Sequence, residues 1–462
     1  MASDLSVPRS PGSISAADES MVHDESNGLH LELAPFGLEH IYDYEPDGHH
    51  PVHLGDVYNN GRYRVIHKLG HGGFATVWLC RDTESKGATK YLALKILMAE
   101  ISSDDCPELR VNQLKDALSQ PANEGNGAEY ICLSLDHFKI HGPNGDHISF
   151  VYPVLGPNVS LGLFHASLRP DEDLRNLGLE VTKAVSFVHS QRICHGDITP
   201  KNILHRITGL DGLDEDELLG ILGSPVVNPV LNASQEPHRG TSAPDYLVYP
   251  VDWYSVDTRF ISKESCLIDF GESFDISQPP DDLGIPGSYR SPELILDKKA
   301  GFGSDIWALG CSLFEIRTGR KLFSPFEDED NDYLDAIVQV LGRLPEPWWS
   351  TTWEDRRSMY EDDVDDQGFV VAVLASEPGN DVQVKQERTV HPSVAVNARS
   401  LKDKIAPGLW YMSDRRSNGD RHRDISQTEQ EIFADILRRL LEYKPEARIS
   451  AEDAIKHEWF RL

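Results

Sequence analysis

The sequence predicts an α+β chain whose two textures are segregated, β-rich to about residue 155 and helical from about residue 171 onward. Three observations carry this. Tyr63, Val65 and His67, then Val77 and Leu79, alternate on either side of the Gly-rich turn in "RYRVIHKLGHGGFATVWLC", the pattern of an antiparallel hairpin. "DEDLRNLGLEVTKAVSFVHS" instead sets Leu174, Leu177, Val181, Val185 and Val188 on one helical stripe behind an acidic first turn. The chain has 462 residues, 39% of them hydrophobic, enough to fill two ordinary domains or one large two-lobed unit.

Taken in order, residues 1–40 are polar and broken by Pro, Gly and Ser, and are expected to be a disordered tail. "MASDLSVPRSPGSISAADES" lacks the charged region and apolar stretch of a secretory signal, and no apolar run approaches the roughly 18 residues of a membrane helix. After the hairpin, "YLALKIL" reads as a strand. "CPELRVNQLKDAL" reads as a helix through Leu109, Leu114 and Leu118, and further strands fall around 130–155. The first unit therefore spans 41–155 and the second 156–462. Residues 206–262 run acidic and then Pro/Gly-rich, and residues 355–425 are charged and Pro/Gly-punctuated, so both are expected to be surface insertions.

Charge narrows the function classes. With 75 acidic against 44 basic residues the net charge is −31, which disfavours contact with nucleic-acid phosphates and favours cationic partners. Six scattered cysteines with no C-x-x-C spacing suggest neither a disulfide framework nor a zinc site. A soluble intracellular protein of a reducing compartment is expected.

Gly70 and Gly72 in "LGHGGFATV" match part of a phosphate-binding glycine pattern, although such spacing is also common in ordinary hairpins. A dinucleotide fold requires a helix after the turn, whereas Thr76, Val77, Trp78 and Leu79 continue as a strand. No G-K-[ST] follows, so a P-loop is also excluded. Lys95 in "LALKIL" can set an ammonium against phosphate oxygens if a carboxylate holds it. Glu108 is the best-placed partner, with Glu100, Asp104 and Asp105 as rivals. Farther along stand "HGDITPKN" (195–202) and "DFG" (269–271).

Gly-rich hairpin, strand lysine, H-G-D-I-T-P-K-N and D-F-G in this order, followed by "YRSPE" and "SDIWALG", resemble the protein kinases. The resemblance implies a bilobal fold with ATP and Mg²⁺ between a β-rich small lobe and an α-helical large lobe. By this family resemblance, Asp197 would orient a substrate hydroxyl, and Asn202 and Asp269 would hold a divalent cation against phosphates. It also implies a pairing of Glu293 with Arg448 and a bracing of the catalytic loop by Asp305. The nucleotide would be held by Leu69, Gly70, Gly72, Val77, Ala93, Lys95 and Glu108. Tyr152 would stand at the back of the adenine pocket, with Pro153 and Leu155 offering backbone groups to the adenine edge.

The pattern departs at three places. Gly196 replaces an Arg that commonly pairs with a phosphorylated activation segment, which disfavours that form of control. Thr199 replaces a Lys that would steady the transferring phosphate, and Lys201 is expected to substitute for it; the catalytic set is then Asp197, Lys201 and Asn202. Pro286 stands where tyrosine kinases place a proline. Over residues 42–460 the chain more closely resembles SR-protein kinases of fungal type, on "GHHPVHLGDVYNNGRYRVIHKLGHGGFATVWLCRD", "FVYPVLG", "FEDEDNDYLDAIVQVLGRLPEPWW" and "KPEARISAEDAIKHEWF". That resemblance implies a serine/threonine kinase for Arg/Ser-rich proteins, with a role in mRNA processing in cytoplasm and nucleus. A monomer is expected, and "FEDEDND" is the expected docking patch. A pseudokinase scaffold for basic partners and a kinase of tyrosine or dual specificity remain as alternatives.

Overall fold

The computed structural model describes residues 28–86, 90–111, 114, 125–159, 169–365, 370–373, 400–412 and 420–462. Strand β1 (His30–Leu31) precedes a six-stranded antiparallel sheet of β2 (Val57–Tyr58), β3 (Tyr63–His71), β4 (Ala75–Asp82), β5 (Lys90–Leu97), β6 (Asp136–Gly142) and β7 (Gly145–Pro153). Its spatial order is β2-β3-β4-β5-β7-β6. Alternation puts Val65, Trp78, Cys80, Leu92, Leu94, Ile96 and Val151 into one buried layer of this small lobe. Helix α1 (Pro107–Val111) lies beyond β5 and carries Glu108 in its first turn. Leu114 is buried as expected, whereas Leu118 lies outside the described residues.

Strands β8 (Leu155–Asn158), β10 (Ile203–Ile207) and β13 (Ile261–Leu267) form a second sheet, and β9 (Ile193–Cys194) pairs with β14 (Phe274–Asp275). Around them pack α2 (Pro170–Ser190), α4 (Phe302–Thr318), α5 (Asp330–Leu341) and α6 (Gln427–Leu440), with the short α3 (Glu215–Leu222) set apart. Helix α2 starts with Pro170 at its first position and Asp171, Glu172 and Asp173 against the positive end of its dipole. It buries the predicted stripe against α4. Gly178 permits that approach, because a Cβ there would stand 2.9 Å from a methyl carbon of Leu313. Nearly every residue of α4 is buried, which makes it the central post of the large lobe.

Three expectations about the periphery are corrected. Residues 28–40, expected as disordered tail, are ordered. Strand β1 pairs with β11 (Val227–Leu231), which in turn pairs with β12 (Tyr246–Val248), and Leu29 and Leu38 are buried with Val230 and Leu247. Glu39 makes a buried ion pair with Lys68 on β3. Residues 1–27 lie outside the described residues.

The stretch 206–262 is not a surface insertion. Leu210, Leu218, Leu222, Val251 and Val256 bury themselves against Ile66, Leu79 and Tyr91 of the small lobe. The Val251 N–H donates to the Lys68 carbonyl (3.0 Å), and the Tyr91 hydroxyl donates to the Leu213 carbonyl (3.0 Å). It is a strap from the large-lobe strand β10 to the back of the Gly-rich hairpin. The described parts of 355–425 likewise contribute buried residues: Tyr360, Val370 and Ala372 join one cluster, and Leu401, Ile405, Leu409 and Ile425 join the main core.

Candidate active site

The cleft between the lobes is built from the Gly-rich hairpin, strand β5 with helix α1, the catalytic loop and the D-F-G turn, the last three of which deliver its polar side chains. Hairpin β3–β4 roofs it. Gly70 pairs with Val77 in register, and the Gly72 N–H closes the turn on the Ala75 carbonyl (2.8 Å). Cβ atoms on Gly70 or Gly72 would meet nothing within 4 Å, so their absence serves no packing need inside the protein and leaves room for a ligand to approach the backbone. Leu69 sits in the same strand, and Ala93 and Tyr152 face each other in register across β5 and β7. Pro153 ends β7 and Leu155 begins β8, where the chain crosses between lobes.

Lys95 gathers the charged centre. Its ammonium lies 2.9 and 3.1 Å from the two Glu108 oxygens and 2.9 Å from Asp269 Oδ1. Burial alone would depress this lysine, but the Asp269 and Glu108 carboxylates outweigh it and hold the ammonium above its ordinary range. Asp269 is held low: burial opposes its charge, and the Lys95 ammonium overcomes that. Glu108 is pushed up, mainly by burial, with Asp269 adding to it and Lys95 and Tyr152 pulling back. Of the rival carboxylates, Asp104 instead pairs with Lys139 at 2.9 Å. The Tyr152 hydroxyl also donates to Glu108 Oε1, a contact that sequence reasoning did not find.

The catalytic loop is held from beneath. Asp305, in the first turn of α4 and 2% exposed, accepts from the backbone N–H of His195 (2.7 Å) and of Gly196 (2.9 Å). Burial keeps the His195 imidazole neutral, and the two contacts fix its tautomer. Nδ1 accepts from the Asp197 N–H (3.2 Å), so Nε2–H donates to the Ile268 carbonyl (3.0 Å), one residue before Asp269. His195 thereby stitches the loop to the D-F-G strand end.

Gly196 has a structural reason. Its φ is +83°, and a Cβ there would stand 2.3 Å from the Glu272 carbonyl oxygen, so an arginine cannot occupy this position without moving the backbone. The segment from Asp269 to Glu293 is ordered by other contacts. The Gly284 N–H donates to the Glu272 carboxylate (2.9 Å), Leu283 and Ile285 are buried in the main core, and Arg290 Nη2 donates to the Leu283 carbonyl (3.2 Å). Glu293 and Arg448 form a buried two-pronged ion pair at 2.6 and 2.7 Å.

Asn202 donates from its amide nitrogen to Asp197 Oδ2 (2.6 Å) and to the Asp197 carbonyl (2.9 Å). The other carboxylate oxygen, Asp197 Oδ1, is buried without a partner among the described residues. Burial raises the Asp197 pKa to about 7. Asp269 and Glu272 contribute to the rise, and the Asn202 hydrogen bond and Lys201 oppose it. Thr199 is buried at 2% exposure and Lys201 is exposed. The structure therefore brings together Lys95, Glu108 and Asp269 as one cluster and Asp197 with Asn202 as another, and sets Lys201 at the rim.

A β-sheet lobe over a helical lobe, with a lysine–carboxylate pair, an aspartate-bearing loop and a D-F-G turn in the cleft, defines a protein kinase. Residues 260–460 match the family model described as the protein kinase domain. The chain is 26% identical over 435 residues to the serine/threonine-protein kinase SRPK of Physarum polycephalum, covering 90% of this chain and 89% of that one. Protein kinase dsk1 of Schizosaccharomyces pombe is 26% identical over 395 residues, 66% of this chain and 71% of its own. Serine/threonine-protein kinase spk-1 of Caenorhabditis elegans is 34% identical over 211 residues, 45% of this chain and 20% of its own. The chain is a protein serine/threonine kinase, similar to the SRPK kinase over most of its length.

Proposed function

We propose that this kinase transfers the γ-phosphoryl group of Mg·ATP to serines in Arg/Ser-rich proteins, acting as a monomer in mRNA processing in cytoplasm and nucleus. The reading rests chiefly on the unpartnered, buried Asp197 Oδ1 beside a filled Oδ2: one oxygen is positioned by Asn202 and the other is available to accept and orient a substrate hydroxyl. Lys95, fixed by Glu108, would face the phosphates beneath the Gly-rich hairpin, with Leu69, Val77, Ala93 and Tyr152 around the adenine. Pro153 would offer a carbonyl to the adenine edge and Leu155 an N–H.

The donor set suits Mg²⁺. Asp269 supplies carboxylate oxygen, and the amide oxygen of Asn202 is left over once its nitrogen faces Asp197; both are hard ligands. When bound, such an ion neutralises phosphate charge as it builds on the transferring group.

The substrate class is supported by electrostatics. Carboxylate oxygens of Glu327, Glu329 and Asp332 lie within 4.8 Å of one another, and the adjacent Asp330 is tied to Arg290 of the activation segment at 3.3 Å. An acidic surface continuous with the segment beside Asp197 would retain arginine-rich peptides. Labelled ATP, Mg²⁺ and a panel of Arg-Ser, acidic and tyrosine peptides test this. Arg-Ser serine phosphorylation at the highest kcat/KM is expected, and preference for the acidic or tyrosine peptides refutes it. Lys201→Ala should lower turnover about tenfold if its ammonium replaces the one missing at Thr199, and Thr199→Lys should recover most of that loss. Unchanged turnover in Lys201→Ala rules out the replacement.

A further inference from the structure

Helix α1 presents Glu108 to Lys95 from its first turn, the end at which a helix frays. What fixes the carboxylate must come from outside the helix. Two strands of the sheet reach it. Lys95 extends from β5 to both oxygens, and Tyr152 extends from β7 to Oε1. Tyr152 is itself well anchored: it pairs with Ala93 in the ladder, and its ring lies 6.4 Å from that of Phe150, which is fully buried.

We infer that the Tyr152 hydroxyl is a positioning group for phosphoryl transfer, a second tether that locks Glu108, and through it Lys95, in the orientation the phosphates require. The chain of contacts runs from the β7 backbone through the phenol to Glu108, from Glu108 to Lys95, and from Lys95 to Asp269 of the D-F-G turn. A lysine held by one carboxylate at a helix end can swing with it. A carboxylate pinned from two strands cannot, and its two oxygens then divide the work: Oε2 faces Lys95 alone, and Oε1 is shared between ammonium and phenol.

The hydroxyl stays protonated and so has a proton to donate to Glu108, because burial and that neighbouring carboxylate push its pKa well above 10. It stabilises the charged form of Glu108, opposing the burial that pushes this acid up. A residue at the back of the adenine pocket thus acts on the phosphate end of the site without touching the nucleotide there. This rests on the phosphotransfer reading and is independent of which substrate is used.

The test is Tyr152→Phe, which keeps the ring and removes one oxygen, measured in the full chain by steady-state phosphotransfer and by thermal unfolding. Positioning predicts a fall in kcat of about three- to thirtyfold at saturating ATP, with KM for ATP changed less than about threefold and the melting temperature nearly unaltered. In a Glu108→Ala background, where the phenol has nothing to hold, Tyr152→Phe should add no further loss. A rise in KM with kcat unchanged would mark a pocket-lining role and overturn the inference, as would equal losses in both backgrounds. Failure of the wild-type chain to transfer phosphate would count against the kinase reading instead.

Discussion

Replacing Glu39 by Ala asks whether residues 28–44 belong to the small lobe. Lys68 is 0% and Glu39 3% exposed, and the Tyr44 hydroxyl donates to the same carboxylate at 2.7 Å. The Lys68 ammonium also lies 5.3 Å from the Trp78 ring centre, so it is enclosed by sheet, ring and N-terminal segment. Removing the carboxylate strands a cation with no water, a change that costs about 3–5 kcal/mol. Against a typical total of about 5–15 kcal/mol that is a large share. Burial already lowers the Lys68 pKa and Glu39 opposes this, so without Glu39 the lysine sheds its proton more readily and the deficit should narrow as pH rises from 7 toward 9. Urea unfolding followed by tryptophan fluorescence reads the loss, because Trp78 lies beside the pair. The double variant Glu39→Leu with Lys68→Met removes both charges and should recover most of it. A loss below about 1 kcal/mol in Glu39→Ala, or a double variant as unstable as the single, refutes the reasoning.

Two more outcomes follow from other parts of the fold. Gly196→Ala should lower kcat strongly, because the left-handed backbone and the Glu272 carbonyl 2.3 Å from the new Cβ force the catalytic loop to shift; kinetics near wild type would contradict the steric argument. His49 and His50 are buried, and burial lowers the pKa of each from 6.5 to about 4. An unfolded chain binds these protons first, so stability is full above pH 6.5 and is lost as pH falls toward 4, by up to about 3 kcal/mol for each residue. Urea titrations at pH 7 and pH 5 on wild type and His50→Phe check this, and identical pH slopes for the two proteins would exclude it for His50.

The parts of the site that were legible in the sequence are those written in short local patterns. Asp197 and Asn202 sit five residues apart on one loop, and Asp269 stands in a D-F-G, so reading them needs no knowledge of distant packing. Glu108 was one carboxylate among four, and only its direction from α1 separates it from Asp104, which points to Lys139. The Gly-rich hairpin and the stripe on α2 were legible because a regular period marks them. The strap over 206–262 was not. Its apolar residues Leu210, Leu218, Leu222, Val251 and Val256 follow no single period, they stand among acidic and Pro/Gly stretches that look like surface, and their partners lie more than a hundred residues earlier on β3–β5. The tail was misread for the same reason, since Glu39 looks like any solvated acid until Lys68 is placed against it. Gly196 looked like a lost arginine, whereas the backbone there has no room for one.

Calorimetric titration of the chain with ATP, in the presence and absence of Mg²⁺, tests most directly whether Lys95, Asn202 and Asp269 converge on one metal-bound triphosphate. The account predicts uptake of one nucleotide that tightens with Mg²⁺, a Mg²⁺ effect that disappears in Asp269→Ala, and weakened binding in Lys95→Met. Absence of heat at every magnesium concentration, or a magnesium response that survives loss of the Asp269 carboxylate, would contradict it.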